Sequence, residues 1–242
     1  MTLTALVTGA GGGIGLATAA RLAADGVAVF ASDVKPRPPD LPANVGYVAF
    51  DLLTGDPADL LATVPISALD YLVNAAGVAF FERDGSVLDT DEWVWDTTLG
   101  VNLHAVRHLT VAAVPLLRRG VGKSIVNIAS TAGVRGMDSP LDAYQVSKAA
   151  VVSLSRTLAL QLGPEGIRVN TVCPGAILTP MIEPLYQEDP ARRTNMEQRT
   201  PLRRLGMPTD IADAVAFLLS EQASFITATD LVVDGGWIAQ IK

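Results

Sequence analysis

The chain has 242 residues, of which 49% are hydrophobic and 18% are charged, with a formal net charge of −7. This composition is typical of a folded globular protein and excludes a disordered chain. The acidic balance argues against nucleic acid or an anionic membrane surface as a partner. The length is sufficient for one large α/β domain with a sizeable core.

No targeting or membrane signal stands out in the sequence. The first residues lead directly into an apolar strand, and no apolar stretch reaches membrane-spanning length without a charge. The single cysteine, Cys173, excludes an internal disulfide and suits a reducing compartment. We therefore expect a cytoplasmic protein without a membrane partner.

Strand-like and helix-like stretches alternate along the chain. Apolar runs predict strands at Thr2–Val7, Val27–Ser32, Val45–Phe50, Leu69–Asn74, Ser124–Ser130, Ile167–Val172 and Asp230–Val233. Helical periodicity predicts helices at Ile14–Asp25, Pro57–Thr63, Trp93–Arg118, Ala143–Leu162 and Thr209–Ser220. Short apolar strands separated by helices form parallel sheets that are covered on both faces. We predict an α/β fold, a doubly wound Rossmann-type sheet of about seven strands in a single domain, residues 1–242.

A glycine-rich loop follows the first predicted strand and opens into a helix: Thr8-Gly9-Ala10-Gly11-Gly12-Gly13-Ile14-Gly15. Glycines at this place let the backbone approach a pyrophosphate, whose charge the helix N-terminus favours. The spacing Gly9-x-x-x-Gly13-x-Gly15 is not the commonest dinucleotide fingerprint, and no P-loop lysine follows. The loop predicts a dinucleotide site; the alternative is a merely flexible connection.

Asp33 ends the second predicted strand. Its distance along the chain from the glycine loop is close to the spacing of about 20 residues at which dinucleotide-binding folds place an acid that binds the ribose hydroxyls. At about 4 Å its carboxylate would repel a 2′-phosphate by on the order of 4 kcal/mol. Lys35 and Arg37 offset little of this, because exposed ion pairs give about 0–1 kcal/mol. The sequence favours NAD over NADP, unless Asp33 is a simple turn carboxylate.

Other polar and small residues follow strands at the carboxyl edge, where sheets of this class bind ligands. Asp51 and Leu52 close the third strand, and Asn74-Ala75-Ala76-Gly77 closes the fourth. The small residues leave room for a ring or a sugar, although a packing role explains them equally well. Ser130 ends the fifth strand, where its hydroxyl is well placed to bind a substrate oxygen. No histidine lies nearby to support a serine hydrolase.

Tyr144 and Lys148 lie four residues apart near the start of a predicted helix, and therefore on one face. A free tyrosine has a pKa of about 10, which an ammonium within reach can lower by roughly 1–3 units. The pair is a plausible proton-transfer device. The alternative is a half-buried tyrosine beside a solvated lysine.

His104 and His108 form an i, i+4 pair on the third predicted helix, in which we expect Pro115 to produce a kink or an end. A metal site requires more ligands than these two histidines, and no third ligand is obvious. We therefore expect no metal at this pair, and a solvated or hydrogen-bonded role instead.

Residues 179–204 lose helical and strand periodicity, and a long loop in a compact domain is often a substrate lid. This segment holds apolar residues together with five arginines: Arg192, Arg193, Arg199, Arg203 and Arg204. The arginines either bind a substrate carboxylate or form a solvated face.

In order and spacing, these motifs resemble the short-chain dehydrogenase/reductase family over essentially the whole chain. The resemblance rests on Thr8-Gly9-x-x-x-Gly13-Ile14-Gly15, Asn74–Gly77, Asn102, Ser130, Tyr144-x-x-x-Lys148, Pro174-Gly175 and Val233–Gly236. Ala75 stands where the family frequently has a second asparagine. The resemblance implies a homotetramer.

The resemblance also implies the roles of individual residues. Tyr144 is the expected general acid/base, and Lys148 is expected to lower its pKa and hold the nicotinamide ribose. Ser130 would orient the substrate oxygen, and Asn102 would support a water on a proton relay. The implied cofactor-binding residues are Gly9, Gly11, Gly12, Gly13, Ile14, Gly15, Asp33, Asp51, Leu52, Asn74, Ala75, Ala76, Gly77, Tyr144, Lys148, Pro174, Gly175 and Thr179.

The sequence thus predicts an NAD(H)-dependent oxidoreductase that interconverts a secondary alcohol and a ketone, with cyclic, steroid-like and dihydrodiol substrates as candidates. A non-catalytic NAD-binding sensor or scaffold of the same fold is the alternative, which the complete Ser130, Tyr144 and Lys148 set disfavours. An epimerase or dehydratase would usually carry an extra substrate domain, for which 242 residues leave no room.

Overall fold

A computed structural model describes residues 2–137 and 140–239 of the chain. Within these residues, seven strands form one parallel sheet in the order β3-β2-β1-β4-β5-β6-β7. The strands are β1 Thr4–Thr8, β2 Ala28–Asp33, β3 Gly46–Ala49, β4 Tyr71–Asn74, β5 Ser124–Ile128, β6 Arg168–Pro174 and β7 Asp230–Val233. The strand order reverses between β1 and β4, which creates a crevice at the carboxyl ends of these two strands.

Helices cover both faces of the sheet because successive side chains of each strand point to opposite sides. In β1, Val7 packs into one core cluster with Leu22 and Ile211, whereas Leu6 packs into another with Leu109. This confirms the predicted doubly wound parallel fold. The helices are α1 Gly13–Ala24, α2 Pro57–Thr63, α3 Glu92–Leu99, α4 Ala105–Arg119, α5 Asp142–Leu162, α6 Glu183–Glu188, α7 Pro190–Arg199 and α8 Pro208–Leu219.

The helix predicted over Trp93–Arg118 is interrupted. A π-helical turn at Gly100–His104 separates α3 from α4. Pro115 does not end α4, which continues to Arg119. A proline leaves the carbonyl four residues earlier without its helical donor. Here that carbonyl belongs to Val111, which is exposed, so water can supply the missing hydrogen bond.

The segment predicted to be an irregular loop over residues 179–204 contains α6 and α7. Asp189 caps α7, where its carboxylate accepts hydrogen bonds from the backbone N–H groups of Ala191 and Arg192 at 3.0 and 3.3 Å. Pro190 occupies the first helical position, where its missing N–H costs nothing. The prediction of a structureless loop was therefore wrong. In the described part of the chain, no helix has the length and apolar character that crossing a bilayer requires.

Candidate active site

The carboxyl ends of the central strands open into a cavity of about 730 Å³. It lies at the crevice between β1 and β4, where open α/β sheets bind ligands. All but two of the sequence-predicted site residues line it: Gly9, Gly11, Gly12, Gly13, Ile14, Gly15, Asp33, Asp51, Leu52, Ala75, Ala76, Gly77, Ser130, Tyr144, Lys148, Pro174, Gly175 and Thr179. The two exceptions are Asn74 and Asn102.

Asn74 is buried in the core instead of lining the cavity. Its amide nitrogen donates hydrogen bonds to Asn127 Oδ1 at 2.7 Å and to Thr110 Oγ1 at 3.3 Å. These bonds tie the end of β4 to β5 and to α4. The side chain of Asn74 therefore supports the strand ends from within the core, and a contact of Asn74 with the cofactor stays a prediction.

Asn102 is fully buried in the π-helical turn and joins two parts of the site. Its Oδ1 accepts the Val78 N–H at 2.8 Å, and its Nδ2 donates to the Val78 carbonyl and to Ser147 Oγ, each at 3.0 Å. Ser147 Oγ donates in turn to the Tyr144 carbonyl at 2.7 Å. Asn102 thus fixes the loop after β4 against the first turns of α5. Its side chain has a positioning role.

Ser130, Tyr144 and Lys148 line the cavity together. Ser130 lies in the turn after β5, where its hydroxyl accepts the Ala132 N–H at 3.1 Å. Lys148 Nζ donates to the Ile128 carbonyl at 3.0 Å and lies 5.6 Å from the centre of the Tyr144 ring. The arrangement places a hydroxyl, a phenol and an ammonium around one space.

Burial shifts the pKa values of Tyr144 and Lys148 in opposite directions. Burial raises the pKa of Tyr144, and the neighbouring Ser130 hydroxyl opposes this effect. Burial lowers the pKa of Lys148 to about 8. Desolvation of the phenol outweighs the opposing effect of the Ser130 hydroxyl, and the lowering of the Tyr144 pKa by Lys148 stays a prediction. At neutral pH, Tyr144 is a phenol and Lys148 is mostly protonated.

Asp84 is a buried site residue that the sequence did not reveal. Its carboxylate accepts the backbone N–H groups of Ala143 and Tyr144 at 3.1 and 2.9 Å, at the start of α5. A negative charge at a helix N-terminus is stabilising, and the two bonds satisfy N–H groups that the helix leaves without partners. Asp84 comes from a loop far away in sequence, so no local motif marks it.

The glycine loop forms a cradle in which Gly9 and Gly15 leave no space for a side chain. Gly9 has φ +71°, and a Cβ atom there would lie 2.5 Å from the backbone of Ala75. A Cβ atom on Gly15 would lie 2.2 Å from the Gly9 carbonyl oxygen. No side chain caps the start of α1, and Gly12 and Gly13 line the cavity beside it. Uncapped N–H groups and close backbone access fit a pyrophosphate.

Asp33 is held at the cavity wall by backbone hydrogen bonds. Its two carboxylate oxygens accept the N–H groups of Gly11 at 2.9 Å and of Lys35 at 3.0 Å. A Cβ atom on Gly11 would lie 2.6 Å from the carboxyl carbon of Asp33. The carboxylate is thus oriented beside the cradle, where it fits the hydroxyl groups of a ribose.

An apolar wall, also absent from the sequence prediction, completes the cavity. It includes residues from the loops after β4 and β5: Val78, Phe80, Phe81, Met137 and Leu141. Phe80 packs against Trp93 with ring centres 5.0 Å apart. The aromatic residues directly follow the Asn74–Gly77 motif, which is a signal that was available in the sequence.

His104 and His108 stack on the surface with ring centres 6.3 Å apart. Across residues 2–137 and 140–239, no group of three or more potential ligand side chains is arranged to hold a metal ion.

Comparison with known proteins identifies the family. The family profile described as "Enoyl-(Acyl carrier protein) reductase" matches residues 9–238. The chain is 40% identical over 244 residues to "Dehydrogenase/reductase SDR family member 4" of Oryctolagus cuniculus, covering 96% of this chain and 92% of the relative. The chain belongs to the short-chain dehydrogenase/reductase family. It is 36% identical over 250 residues to the cyclohexanol dehydrogenase of Acinetobacter sp., covering 98% and 95%.

Solved structures support the same fold. The ligand-free aldohexose dehydrogenase of Thermoplasma acidophilum superposes with a TM-score of 0.91 at 29% identity, over 99% of this chain and 95% of that one. ElxO with NADP bound superposes with a TM-score of 0.89 at 25% identity, over 99% of this chain and all of that one (100%). The chain is thus an oxidoreductase of a family that uses a nicotinamide cofactor.

Proposed function

We propose that this short-chain dehydrogenase/reductase uses NAD(H) to interconvert a secondary alcohol and a ketone. One observation carries the proposal: Ser130, Tyr144 and Lys148 line the same cavity as the glycine cradle. A proton-transfer group and a dinucleotide cradle in one space are what hydride transfer to or from an alcohol requires. The cyclohexanol dehydrogenase relative supports an alcohol or ketone as the substrate class.

The cofactor assignment follows from the charges and shape of the cradle. The N-terminus of α1 would hold the pyrophosphate, Asp33 the adenosine ribose and Lys148 the nicotinamide ribose. When bound, the nicotinamide supplies hydride exchange with the carbinol carbon. A 2′-phosphate would meet the Asp33 carboxylate, and the resulting repulsion favours NAD.

Tyr144 and Ser130 would handle the oxygen atom of the substrate. In the reducing direction, the Tyr144 phenol donates its proton to the ketone oxygen while the Ser130 hydroxyl orients that oxygen. Lys148, protonated below a pKa of about 8, stabilises the tyrosinate that results. In the oxidising direction, tyrosinate must accept the proton. Because burial raises the pKa of Tyr144, we expect oxidation to accelerate with increasing pH.

The proposal also covers the compartment, the partners and the oligomeric state of the enzyme. A net charge of −7 and a buried, reduced Cys173 favour work in the cytoplasm on a small molecule, without nucleic acid or membrane as partner. Membership of the family supports a homotetramer, and the α6–α7 segment is proposed to cover the substrate.

The first test is a substrate screen combined with Tyr144→Phe. Cyclic and steroidal alcohols, hydroxy acids and dihydrodiols are supplied with NAD or NADP, and the absorbance of the reduced cofactor is followed. We expect Tyr144→Phe to lower kcat by about 10²–10⁴, the usual contribution of general acid–base catalysis, while the Kd for NAD stays nearly unchanged.

Tyr71→Phe is the matched control, because Tyr71 is buried at the start of β4, away from the cavity. Turnover by Tyr144→Phe at the wild-type rate would refute the role of the phenol. NAD binding with no turnover across the whole screen would favour the sensor or scaffold alternative.

A further inference from the structure

Helix α7 presents one face to the cavity. The residues of α7 that line it are Arg192, Asn195, Met196 and Arg199. Their spacing of i, i+3, i+4 and i+7 places them along a single side of the helix. The helix therefore contributes two arginines and an asparagine to a wall that also holds apolar residues such as Met181 and Leu185.

The other three arginines of this segment do not line the cavity. Arg193 Nε pairs with Glu197 at 2.9 Å, and Arg204 pairs with Asp210 at 2.6 Å. Arg203 donates to the backbone carbonyl of Gln198. The five arginines thus divide into two that line the cavity and three that stabilise the surface. A uniformly solvated face would not show this division.

Charge is distributed unevenly along the cavity. Within the described residues, the carboxylates that line it are Asp33 and Asp51, which follow β2 and β3. The α6–α7 wall follows β6, which lies on the other side of the strand-order reversal from β2. No acidic residue of α6 or α7 lines the cavity, although the protein carries a net charge of −7. The charged residues of α6 and α7 that line the cavity are therefore both arginines.

We propose that the natural substrate carries a carboxylate on an apolar body, and that Arg192 and Arg199 form its anion-binding wall. The inference rests on the proposed function, because it assumes that the alcohol or ketone group reacts at Ser130 and Tyr144. A guanidinium fork matches a carboxylate in a bidentate fashion, and such charge-assisted hydrogen bonds are stronger than neutral ones.

The apolar body of the substrate has its own contacts. Met181, Ile182, Leu185, Tyr186 and Trp237 line the cavity around the arginines. Along the axis of α7, Arg192 and Arg199 are about 10 Å apart, since a helix rises about 1.5 Å per residue. The wall therefore accepts a carboxylate at more than one distance from the reacting carbon, and single variants will show which arginine binds it.

The test compares two probes of the same shape in the NAD-loaded enzyme. Cyclohexanecarboxylate and neutral cyclohexanecarboxamide are titrated by calorimetry into wild type, Arg192→Gln, Arg199→Gln and Arg193→Gln. The last variant is a matched control, because Arg193 lies on the same helix and faces Glu197. We expect the wild type to bind the carboxylate about tenfold more tightly than the amide, which corresponds to about 1.4 kcal/mol.

At least one of Arg192→Gln and Arg199→Gln should abolish this preference without changing the Kd for the amide or for NAD. Arg193→Gln should retain it. The inference is overturned by equal binding of the two probes, by binding of neither, or by an equal loss in the Arg193 variant. A weakened Kd for NAD in the cavity-lining variants would overturn it too, because the arginines would then bind a cofactor phosphate.

Turnover separates failure of this inference from failure of the proposed function. The paired substrates are 4-hydroxycyclohexanecarboxylate and 4-methylcyclohexanol. If the neutral alcohol is oxidised at least as efficiently as the hydroxy acid, the carboxylate inference fails and the alcohol dehydrogenase stands. If the carboxylate probe binds selectively but no alcohol or ketone in the screen reacts, the proposed chemistry fails at Ser130 and Tyr144.

Discussion

The two walls of the cavity are built in opposite ways. On the first wall, the glycine cradle is shaped by backbone, and a Cβ atom at Gly9 or Gly15 would collide with neighbouring main chain. On the second wall, α7 contributes side chains from a ten-residue helix in which no residue is buried. The cradle can hardly change without disturbing the fold, whereas the α7 face can change freely. The cradle therefore suits a cofactor that stays the same, and the α7 wall suits a substrate that can differ.

This contrast is open to direct experiment. Changes in the cradle or beneath it should alter folding free energy or cofactor binding. Changes on α7 should alter substrate recognition and leave the free energy of unfolding nearly untouched.

The largest effect is expected for Gly9→Ala. The new methyl group would meet the Ala75 backbone at 2.5 Å, at a residue whose φ of +71° already disfavours a side chain. Overpacking and left-handed strain together cost about 3–4 kcal/mol, which lowers the melting temperature by roughly 6–16 °C. Gly26→Ala isolates the strain, since Gly26 has φ +83° and nothing within 4 Å of the added atom. Equal melting temperatures for the two variants would show that the cradle is not tightly packed.

The second prediction concerns the pH dependence of stability at Lys148. Its folded pKa of about 8 lies below the ordinary value of 10.5. Between these values the unfolded chain binds a proton that the folded chain does not, so this group makes the free energy of unfolding increase with pH. Well below pH 8 the lysine is charged in both states and contributes no slope.

Lys148→Met isolates this contribution, because the other titrating groups remain. We expect the wild type to gain about 2–3 kcal/mol relative to the variant between pH 7 and pH 10, measured by urea unfolding at each pH. A constant difference between the two proteins across this range would mean that Lys148 is not desolvated in the fold.

The two walls also differ in how far the sequence revealed them. The glycine cradle lies at a strand end and the Tyr144–Lys148 pair lies on one helix face, and both line the cavity, while their roles stay predictions. What spacing does not report is burial. The Lys148 ammonium is within reach of Tyr144, yet burial raises the Tyr144 pKa. Asn74 has the right place in the chain, but its amide points into the core.

Contacts that join distant segments left no signal, although Asn102 itself belongs to the motifs of the family resemblance. Asp84 caps α5 from another loop, and Asn102 bonds Val78 and Ser147 from within a π-helical turn. Helix α7 was missed for a different reason. Periodicity detects a helix by its buried stripe, and α7 has no buried residue. Its start was nevertheless marked by Asp189-Pro190, a cap followed by proline at the first helical position.

A smaller effect is expected at the adenosine end of the cradle. Asp33→Asn keeps an oxygen for the Gly11 N–H but removes the charge that a 2′-phosphate would meet. We expect the ratio of Kd for NADP to Kd for NAD to fall by about tenfold, or about 1.4 kcal/mol, with the free energy of unfolding nearly unchanged. Asp40→Asn, at an exposed carboxylate outside the cavity, should leave the ratio as it is. An unchanged ratio in Asp33→Asn would remove the basis for NAD preference.

The smallest stability effects are expected for Arg192→Gln and Arg193→Gln, two neighbouring variants on α7. These variants should differ clearly in their effects on stability and on substrate binding. Arg193→Gln breaks an exposed i, i+4 pair with Glu197 and should cost about 0.3–0.5 kcal/mol of unfolding free energy. Arg192→Gln removes no ion pair among the described residues and should cost less than that. If Arg192 is the arginine that binds the carboxylate, Arg192→Gln should lose more carboxylate affinity than Arg193→Gln, because Arg192 lines the cavity. Urea unfolding measures the loss of stability in the two variants, and calorimetry measures their loss of carboxylate binding. Parallel losses in the two measurements would mean that α7 acts on the substrate only through its own folding.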